Sequence, residues 1–463
     1  MRRPLSLLCA LVAVALAGCG DEAPPVAPPA DRFYFPTGVE HLPAADGPGT
    51  LLVASSNFDR RYDFGAVTAL DLAGAGLTLP PYLGGTGEVG TEPLQIPSLN
   101  VPEERRVLTA PFAGIIGAAQ PDAEGRTRLF VPTRSEGDRV YPLEWNGTAL
   151  SCVGGDAANR DCTAGGLSLT EGGRDGAAGF TDGKPRAPAP YAAAVSGDEV
   201  WVTHAQAADS PLGTLKNRES FLFRTRVSDP QVTPESFQSI GPSPSSTVAL
   251  GARYAYISGR GERGVTFEPL RIMERANPSN VRTVGVLNEF RIQDVRDVAL
   301  NADETRLFLL GRFPDMLLVL SIEDAAGHAP RIQVVRALPL PEGPTMARVI
   351  ERPGRGPLVA ITCSVANALA LYDDESGQLA TVVTRDMVIQ PFGVAVQAPN
   401  AAAEGAAVGA RMFVTGFGDG RVAVLDLEDV TLPSSLKLRA RIGPDQRCLT
   451  ETPRPAGCPE GGS

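Results

Sequence analysis

Two carboxylates are the residues of this sequence best suited to chemistry. Asp297 lies directly before the apolar run 298–300, and Glu40 lies in the similar run PTGVEHL (36–42). Carboxylate oxygens are preferred ligands of hard divalent cations, so two acids that met on a common axis could hold such an ion and activate water. The alternative interpretation is that each acid is a structural carboxylate at a strand edge or a turn.

Other motifs give weaker evidence for a metal or nucleotide site. The three histidines, His41, His204 and His328, fall in different registers of the expected strands, so we do not expect them to converge on a metal. The sequence GRGERG (259–264) matches GxGxxG, but a dinucleotide site needs a helix after the glycines, and the β-rich VTFEPLRI (265–272) follows instead. No catalytic residue is assigned from these patterns.

The cysteines form two local pairs. Cys152 and Cys162, like Cys448 and Cys458, are separated by nine residues in polar segments rich in Gly, Pro or Thr. The CxxC spacing of metal sites is absent, and in an exported protein such pairs indicate disulfides that close short loops. Cys363 lies in the apolar run LVAITC, which predicts a buried free thiol.

The elements that would position these residues are β-hairpins. The stretch MFVTGFGDGRVAVLDL (412–427) alternates apolar and polar residues on both sides of Asp419-Gly420, a pair that tolerates the positive φ of tight hairpin turns. A Pro-led strand, PFGVAVQ (391–397), precedes it. Similar leading strands occur six more times: PTGVEHL, PFAGIIG, PYAAAV, PSSTVAL, VRDVAL and PTMARVI.

Seven such units predict an all-β, seven-bladed β-propeller of four-stranded antiparallel blades over residues 33–443, followed by a Cys/Pro/Gly-rich tail at 444–463. An open solenoid is disfavoured because no polar capping repeat is present. The later units recur every 47–54 residues, whereas the first two intervals are 75 and 79. The excess places inserted loops at about 73–106 and 150–188.

The strand sequence MFVTG, together with VWVTH and LLVAS, resembles the YVTN family of β-propeller repeats in surface-layer and exported proteins. The family's asparagine after the threonine is not kept, since Gly416 and His204 hold the neighbouring places. The resemblance implies the propeller fold. Many members of this family lack a known reaction, and some related seven-bladed propellers hydrolyse sugar lactones.

The first residues indicate export and lipid attachment. Residues 1–18 combine two arginines with an apolar run too short to span a bilayer, as in a signal peptide. The sequence LAGC, ending at Cys19, resembles the bacterial lipobox, in which the cysteine becomes lipidated. The Pro/Ala-rich stretch after it predicts a tether, so we assign 19–32 to the lipidated cysteine and the tether. Gly20 lacks the acidic character of an inner-membrane retention signal, which favours the outer membrane.

Two hypotheses of function remain. The net charge of −11 argues against nucleic acid as a partner. We favour a monomeric, non-enzymatic, lipid-anchored module of the cell envelope that binds a protein or glycan without a cofactor, through loops fixed on a rigid ring. The alternative is a periplasmic hydrolase or lactonase with a divalent cation in the channel, held by Asp297 and Glu40.

The lipid anchor leads to the first testable prediction. Cys19→Ala should abolish acylation and the cleavage that depends on it, because the thiolate sulfur is the acceptor of the diacylglyceryl group. Mass spectrometry and membrane fractionation of the wild-type and variant proteins measure this. A variant that still carries acyl mass and still sediments with membranes would show that the lipobox interpretation is wrong.

Overall fold

The computed structural model describes residues 25–44, 47–77, 93–135, 137–154, 160–169, 188–208, 218–327, 329–384, 387–397 and 408–450. Over these ranges the chain forms seven antiparallel blades around a central axis, with only short helical turns between strands. The expected all-β, seven-bladed propeller is confirmed.

The strands in chain order are β1 Pro36–Leu42, β2 Thr50–Ser55, β3 Gly65–Asp71, β4 Leu94–Ile96, β5 Arg106–Thr109, β6 Gly117–Ala118, β7 Thr127–Thr133, β8 Arg139–Trp145, β9 Leu150–Cys152, β10 Leu167–Ser168, β11 Pro190–Ser196, β12 Glu199–His204, β13 Ser220–Arg226, β14 Phe237–Gly241, β15 Val248–Leu250, β16 Tyr254–Ser258, β17 Leu270–Glu274, β18 Asn277–Thr283, β19 Asp294–Leu300, β20 Arg306–Arg312, β21 Met316–Glu323, β22 Arg331–Pro339, β23 Pro344–Arg352, β24 Arg355–Cys363, β25 Ala368–Asp373, β26 Gln378–Val383, β27 Pro391–Gln397, β28 Ala410–Gly416, β29 Arg421–Leu427 and β30 Leu436–Ile442. Short 3-10 helices span Glu103–Arg105, Thr163–Gly165, Pro234–Ser236, Gly285–Phe290 and Pro433–Ser435, and one α-helical turn, α1, spans Arg447–Thr450.

Each blade uses consecutive strands, ordered from the axis outward. Blade 1 is β1-β2-β3-β5, blade 2 is β6-β7-β8 with β9 and β10 sharing the outer edge, and blades 3 to 7 take four strands each from β11 to β30. We call the face on which the innermost strands begin the upper face. The turns between the second and third strands of the blades lie on the same face.

The core lies between blades rather than inside one of them. Successive side chains of a strand point to opposite sides, so in β2 Leu52 and Ala54 pack towards blade 2 while Leu51 and Val53 pack towards blade 7. Seven buried apolar clusters, one for each pair of adjacent blades, follow this rule around the ring. The second strands are therefore almost continuously apolar, as TLLVAS illustrates.

Insertion 73–106 helps to close the ring. Its segment β4 pairs in parallel with β30, the outer strand of blade 7, and the Gly443 N–H donates to the Ile96 carbonyl at 2.8 Å. Phe33, fully buried between blades 7 and 1, accepts a hydrogen bond on its carbonyl from the Gln446 side-chain amide. The strands that complete blade 7 thus come from the chain's end and from this insertion.

The second insertion, 150–188, contains the expected disulfide between Cys152 and Cys162, with a Cα–Cα distance of 5.2 Å. The Leu108 N–H donates to the Arg160 carbonyl at 2.9 Å, and the Cys162 N–H donates to the Leu108 carbonyl at 3.0 Å. The disulfide loop of blade 2 therefore extends the outer edge of blade 1. Part of this insertion, at 170–187, lies outside the described residues.

Several expectations need correction or lie outside the described residues. The predicted strand VTFEPLRI starts only at Leu270, because 259–269 forms a wide loop, and PFAGIIG contributes regular pairing only at its end.

The signal peptide, Cys19 and Cys458 lie outside the described residues, whereas Cys448 is disulfide-bonded. Residues 25–32 of the expected tether lie against blade 1, where the Asp63 N–H donates to the Val26 carbonyl at 3.0 Å. Among the described residues no helix has the length and hydropathy needed to cross a membrane.

The role of β4 leads to a prediction on one strand with an internal control. Ile96 packs against the cluster between blades 7 and 1, whereas Leu94, two residues earlier, is 47% exposed. Ile96→Ala should lower the free energy of unfolding by about 1–2 kcal/mol, and Leu94→Ala by about 0.5 kcal/mol or less. Urea denaturation of the two variants measures the difference. Equal effects would show that β4 does not contribute to ring closure.

Candidate functional site

The central channel brings the two expected carboxylates together. A cavity of about 240 Å³ on the axis is lined by Glu40 of blade 1, Asp297 of blade 5 and Arg348 of blade 6, with small and apolar side chains from the blades between them. Asp297 and Glu40 come from strands β19 and β1, whose alternation directs both side chains to the axis. Both candidate carboxylates therefore line the same cavity.

Asp297 is a structural carboxylate. One oxygen, Oδ2, accepts the Ala347 N–H at 2.7 Å, and Oδ1 accepts the Val298 N–H at 2.9 Å. Burial raises the pKa of Asp297, and the Arg348 guanidinium, with Nη1 3.6 Å from Oδ2, opposes this rise. Asp297 thereby links the innermost strand of blade 5 to that of blade 6.

Glu40 is the free carboxylate of the channel. Among the described residues no hydrogen bond engages its side chain, and it keeps partial contact with solvent while the ring of strands encloses it. Burial raises its pKa to about 7, although the positive charge of Arg348 opposes the rise. A carboxyl that titrates near neutral pH can exchange protons, so Glu40 is the channel residue with the properties of a general acid or base.

The channel does not fit a divalent cation well. Among the described residues no group of three or more His, Cys, Asp or Glu side chains is placed to hold a metal ion. Both oxygens of Asp297 already accept backbone N–H groups, and a guanidinium cation occupies the position beside them that a metal would need. We therefore derive no chemistry through a metal at Asp297 and Glu40.

A second, larger cavity of about 610 Å³ opens on the upper face beside the channel. It is built from turns of blades 1 to 4, and its lining includes the cations Arg60, Arg134 and Arg260 and the aromatic rings of Phe58 and Phe112. The turns that carry these side chains follow the second strand of a blade or connect two blades. The cavity therefore combines positive charge with aromatic surface.

Arg134 and Arg260 converge on one aromatic ring. The guanidinium carbon of each lies 5.2 Å from the centroid of the Tyr191 ring, which is a favourable cation–π distance. Burial lowers the pKa of Arg134, and the neighbouring cations Arg260 and Arg296 lower it further. Both arginines nevertheless stay protonated at neutral pH because a guanidinium is so strongly basic. The positive charges repel one another at the mouth of the channel.

The same two side chains have unused donors. The Nε of Arg134 and the Nη1 of Arg260 are buried and make no hydrogen bond, and no described carboxylate lies within 4 Å of either guanidinium. Buried charged donors without partners are costly, so their position calls for a ligand or a solvent partner. Asp138, whose pKa burial raises to about 6, is the acid that lies nearest in the cavity wall.

Five phenylalanines continue the cavity wall over blades 7, 1 and 2. Ring centroids of Phe58 and Phe112 are 5.5 Å apart, those of Phe58 and Phe417 are 5.4 Å apart, and those of Phe35 and Phe417 are 5.1 Å apart. Phe392 joins the cluster at 6.0 Å from Phe417. Phe58 remains 50% exposed in this cluster. The upper face thus offers an aromatic surface that contacts solvent.

The remaining candidates from the sequence are separate from both cavities. His41 Nε2 lies 2.8 Å from the Pro48 carbonyl oxygen and His204 Nδ1 lies 3.3 Å from that of Pro188, so these two histidines do not meet. His328 lies outside the described residues. Cys363 is the expected buried free thiol, and burial raises its pKa to about 12.

Sequence reasoning missed the arginines, although a signal for three of them is present. An arginine stands at or just after the end of the second strand in blades 2, 4 and 5, in VPTR (131–134), ISGR (257–260) and LLGR (309–312). Side chains that hold the same place in different blades meet at the axis on one face of a propeller. The repeated register of these arginines therefore predicts a basic cluster, which the separate motifs did not suggest.

Similarity to known proteins is found among solved structures alone. No family model and no curated protein matches the chain. Solved structures similar to it include the β-propeller domain of Myceliophteria thermophila Cps50 (Swd1), at 12% identity over 86% of this chain and 99% of that one, TM-score 0.46. A putative 6-phosphogluconolactonase from Bacteroides uniformis is 14% identical over 75% and 84% of the two chains, TM-score 0.46.

The periplasmic gluconolactonase PpgL of Pseudomonas aeruginosa is 16% identical over 77% of this chain and 87% of that one, also with a TM-score of 0.46. At these identities and TM-scores the similarities carry no argument about activity.

The raised pKa of Glu40 predicts a pH-dependent stability. The folded protein binds this proton more tightly than the unfolded chain, whose carboxyl titrates near 4.5, so the stabilising contribution is complete below pH 4.5 and is lost as the pH rises through 7. Glu40→Gln should therefore gain stability over wild type between pH 4.5 and 8, by roughly 1–2 kcal/mol after allowance for solvent contact. Urea denaturation across this pH range measures the gain. Parallel pH profiles for the two proteins would contradict the prediction.

Proposed function

We propose that this protein is a lipid-anchored module of the bacterial cell envelope that binds a partner, protein or glycan, on the upper face of its propeller without catalysing a reaction. The observation that carries this proposal is the exposed aromatic surface around the mouth of the channel. Phe58 and Phe313, the large aromatic side chains that stand exposed among the described residues, both lie on this face, at 50% and 64% exposure. Exposed aromatic groups on a rigid surface are typical of binding sites.

The scaffold supports the same proposal. The turns of the upper face are fixed by strands whose apolar side chains are buried between blades, so a ligand meets a preformed surface and less conformational entropy is lost on binding. The described parts of the two insertions serve another purpose, because β4 pairs with blade 7 and residues 160–162 pair with blade 1. We therefore assign partner binding to the upper-face turns rather than to these parts of the insertions.

The alternative is a hydrolase or lactonase that uses a divalent cation in the channel. Glu40, with a pKa of about 7, is the observation in its favour. The engaged oxygens of Asp297 and the adjacent Arg348 weigh against a cation there. Metal analysis of the purified mature protein separates the two functions, since one bound calcium or zinc ion per chain would favour the enzyme.

Site-specific crosslinking in the native cell tests the proposed binding face. A photoreactive benzoylphenylalanine at Phe313 should form an adduct of discrete mass, because this position is exposed on the upper face, in the turn between β20 and β21. The control places the same group at Val335, which is 45% exposed on the outer strand of blade 5. The double variant Asp297→Asn, Glu40→Gln should leave the Phe313 adduct unchanged if the channel takes no part. Equal adducts at both positions, or none at Phe313, would contradict the proposal.

A further inference from the structure

The cavity of the upper face has the composition of a site for a charged ligand of limited size. Its volume of about 610 Å³ lies within the range of small-molecule pockets, about 300–1,000 Å³. Its wall carries Arg60, Arg134 and Arg260, whereas Asp138 is its acid. The whole chain has a net charge of −11, so a local excess of positive charge here is contrary to the overall balance.

Arg134 and Arg260 enter this cavity from blades 2 and 4. Arg134 and Arg260 flank Tyr191, and each leaves one buried guanidinium nitrogen without a hydrogen bond. By contrast, Arg312, on the same face, is satisfied because it donates to the Pro344 and Gly343 carbonyl oxygens at 2.9 and 3.1 Å. An oxyanion in this cavity would offset the positive charge and would reduce the repulsion between the two cations.

The aromatic and neutral polar residues of the lining favour one kind of oxyanion. Phe58 is half exposed at the rim, packed against Phe112 at 5.5 Å, so its ring is held in place and available for stacking. Ser135 and Gln206 add neutral hydrogen-bonding groups to the same cavity. A pyranose ring has an apolar face that can pack on an aromatic ring and hydroxyl groups that bind such polar side chains. An extended acidic peptide needs a groove or a free strand edge, whereas this cavity is lined by residues of turns and connections.

We propose that this cavity binds an acidic sugar, with its carboxylate on Arg134 and Arg260 and its ring against Phe58. The assignment rests on the proposed binding role of the upper face and names the ligand class. Arg60, whose guanidinium carbon lies 5.1 Å from the Phe112 centroid, adds a third cation at the entrance. Asp138 faces the same space and opposes the anion through its own charge.

Isothermal titration calorimetry on the full mature chain tests the site with defined probes. Glucuronate, galacturonate and N-acetylneuraminate are the acidic sugars, glucose is the neutral control, and inorganic phosphate and tetraglutamate represent the other sources of an oxyanion. At least one acidic sugar should bind, and glucose should bind more weakly by roughly tenfold or more, because it lacks the charge-assisted hydrogen bonds.

Matched variants assign the binding to the named residues. Arg134→Gln and Arg260→Gln should each lower the affinity for the acidic sugar by roughly tenfold or more. Arg331→Gln is the control: it removes the same charge from a distant, exposed position and should change the affinity by no more than about twofold. Phe58→Ala should lower the affinity for the acidic sugar, whose ring packs on Phe58, and should leave the affinity for phosphate unchanged. Asp138→Asn should strengthen binding, since it removes the opposing charge.

Thermal melting confirms that each variant is folded. If Arg134→Gln or Arg260→Gln fails to fold, Arg60→Gln, at an exposed position in the same wall, replaces it with an expected loss of about threefold. Binding of phosphate or tetraglutamate that is tighter than that of every acidic sugar would overturn the assignment. Absence of acidic-sugar binding would overturn it too, while the Phe313 adduct would decide the proposed binding face independently.

Discussion

Seven innermost strands converge on one axis, and their polar backbone groups must find partners in neighbouring blades because no other sheet covers them there. Threonine hydroxyls near the ends of second strands meet this requirement: Thr203 donates to the Ser246 carbonyl at 2.7 Å and Thr362 to the Phe392 carbonyl at 2.8 Å. Where Leu310 replaces the threonine in blade 5, the carboxylate of Asp297 makes the link to blade 6. Glycine is required where strands nearly touch, since a Cβ on Gly114 would overlap the Tyr191 carbonyl oxygen.

This crowded axis explains why the two cavities differ. Inside the channel most polar groups are consumed in holding the strands together, so a carboxylate such as Asp297 cannot also serve a ligand. At the upper face the chain leaves the strands through turns, and Arg134 and Arg260 contact Tyr191 of the blade between them while also lining an open cavity. Their positive charge and the adjacent aromatic rings can therefore serve binding.

The fold could be predicted from the sequence because its information is local and repeated. Alternation of apolar residues marks each hairpin, as in β28 and β29, and the repeat spacing fixes the number of blades. The pairing of β4 with β30 could not be predicted, because three residues within a Gly/Pro-rich insertion carry no periodicity and their partner lies far away in the chain. The same holds for the division of the outer edge of blade 2 between β9 and β10.

The candidate site was predictable only in part, for a related reason. Strand register makes Asp297 and Glu40 candidates for the axis, but register does not reveal that the N–H groups of Ala347 and Val298 occupy the oxygens of Asp297. The pairing of Arg134 and Arg260 around Tyr191 depends on three blades at once. Such a site cannot be recognised from a single motif, because its residues come from different blades. It can be recognised when equivalent positions of the repeats are compared.

The way in which the ring is closed also determines how it bears mechanical tension. Residue 25 is not part of β4 or of the four strands of blade 7, which close the ring. A force applied at residue 25 therefore does not act directly on those strands. The pull first meets the short backbone contacts of Val26 with Asp63 and of Asp31 with Leu99, which can open one at a time. It then reaches Phe33, buried between blades 7 and 1. Residues 25–32 can thus detach from blade 1 while the ring of blades remains closed.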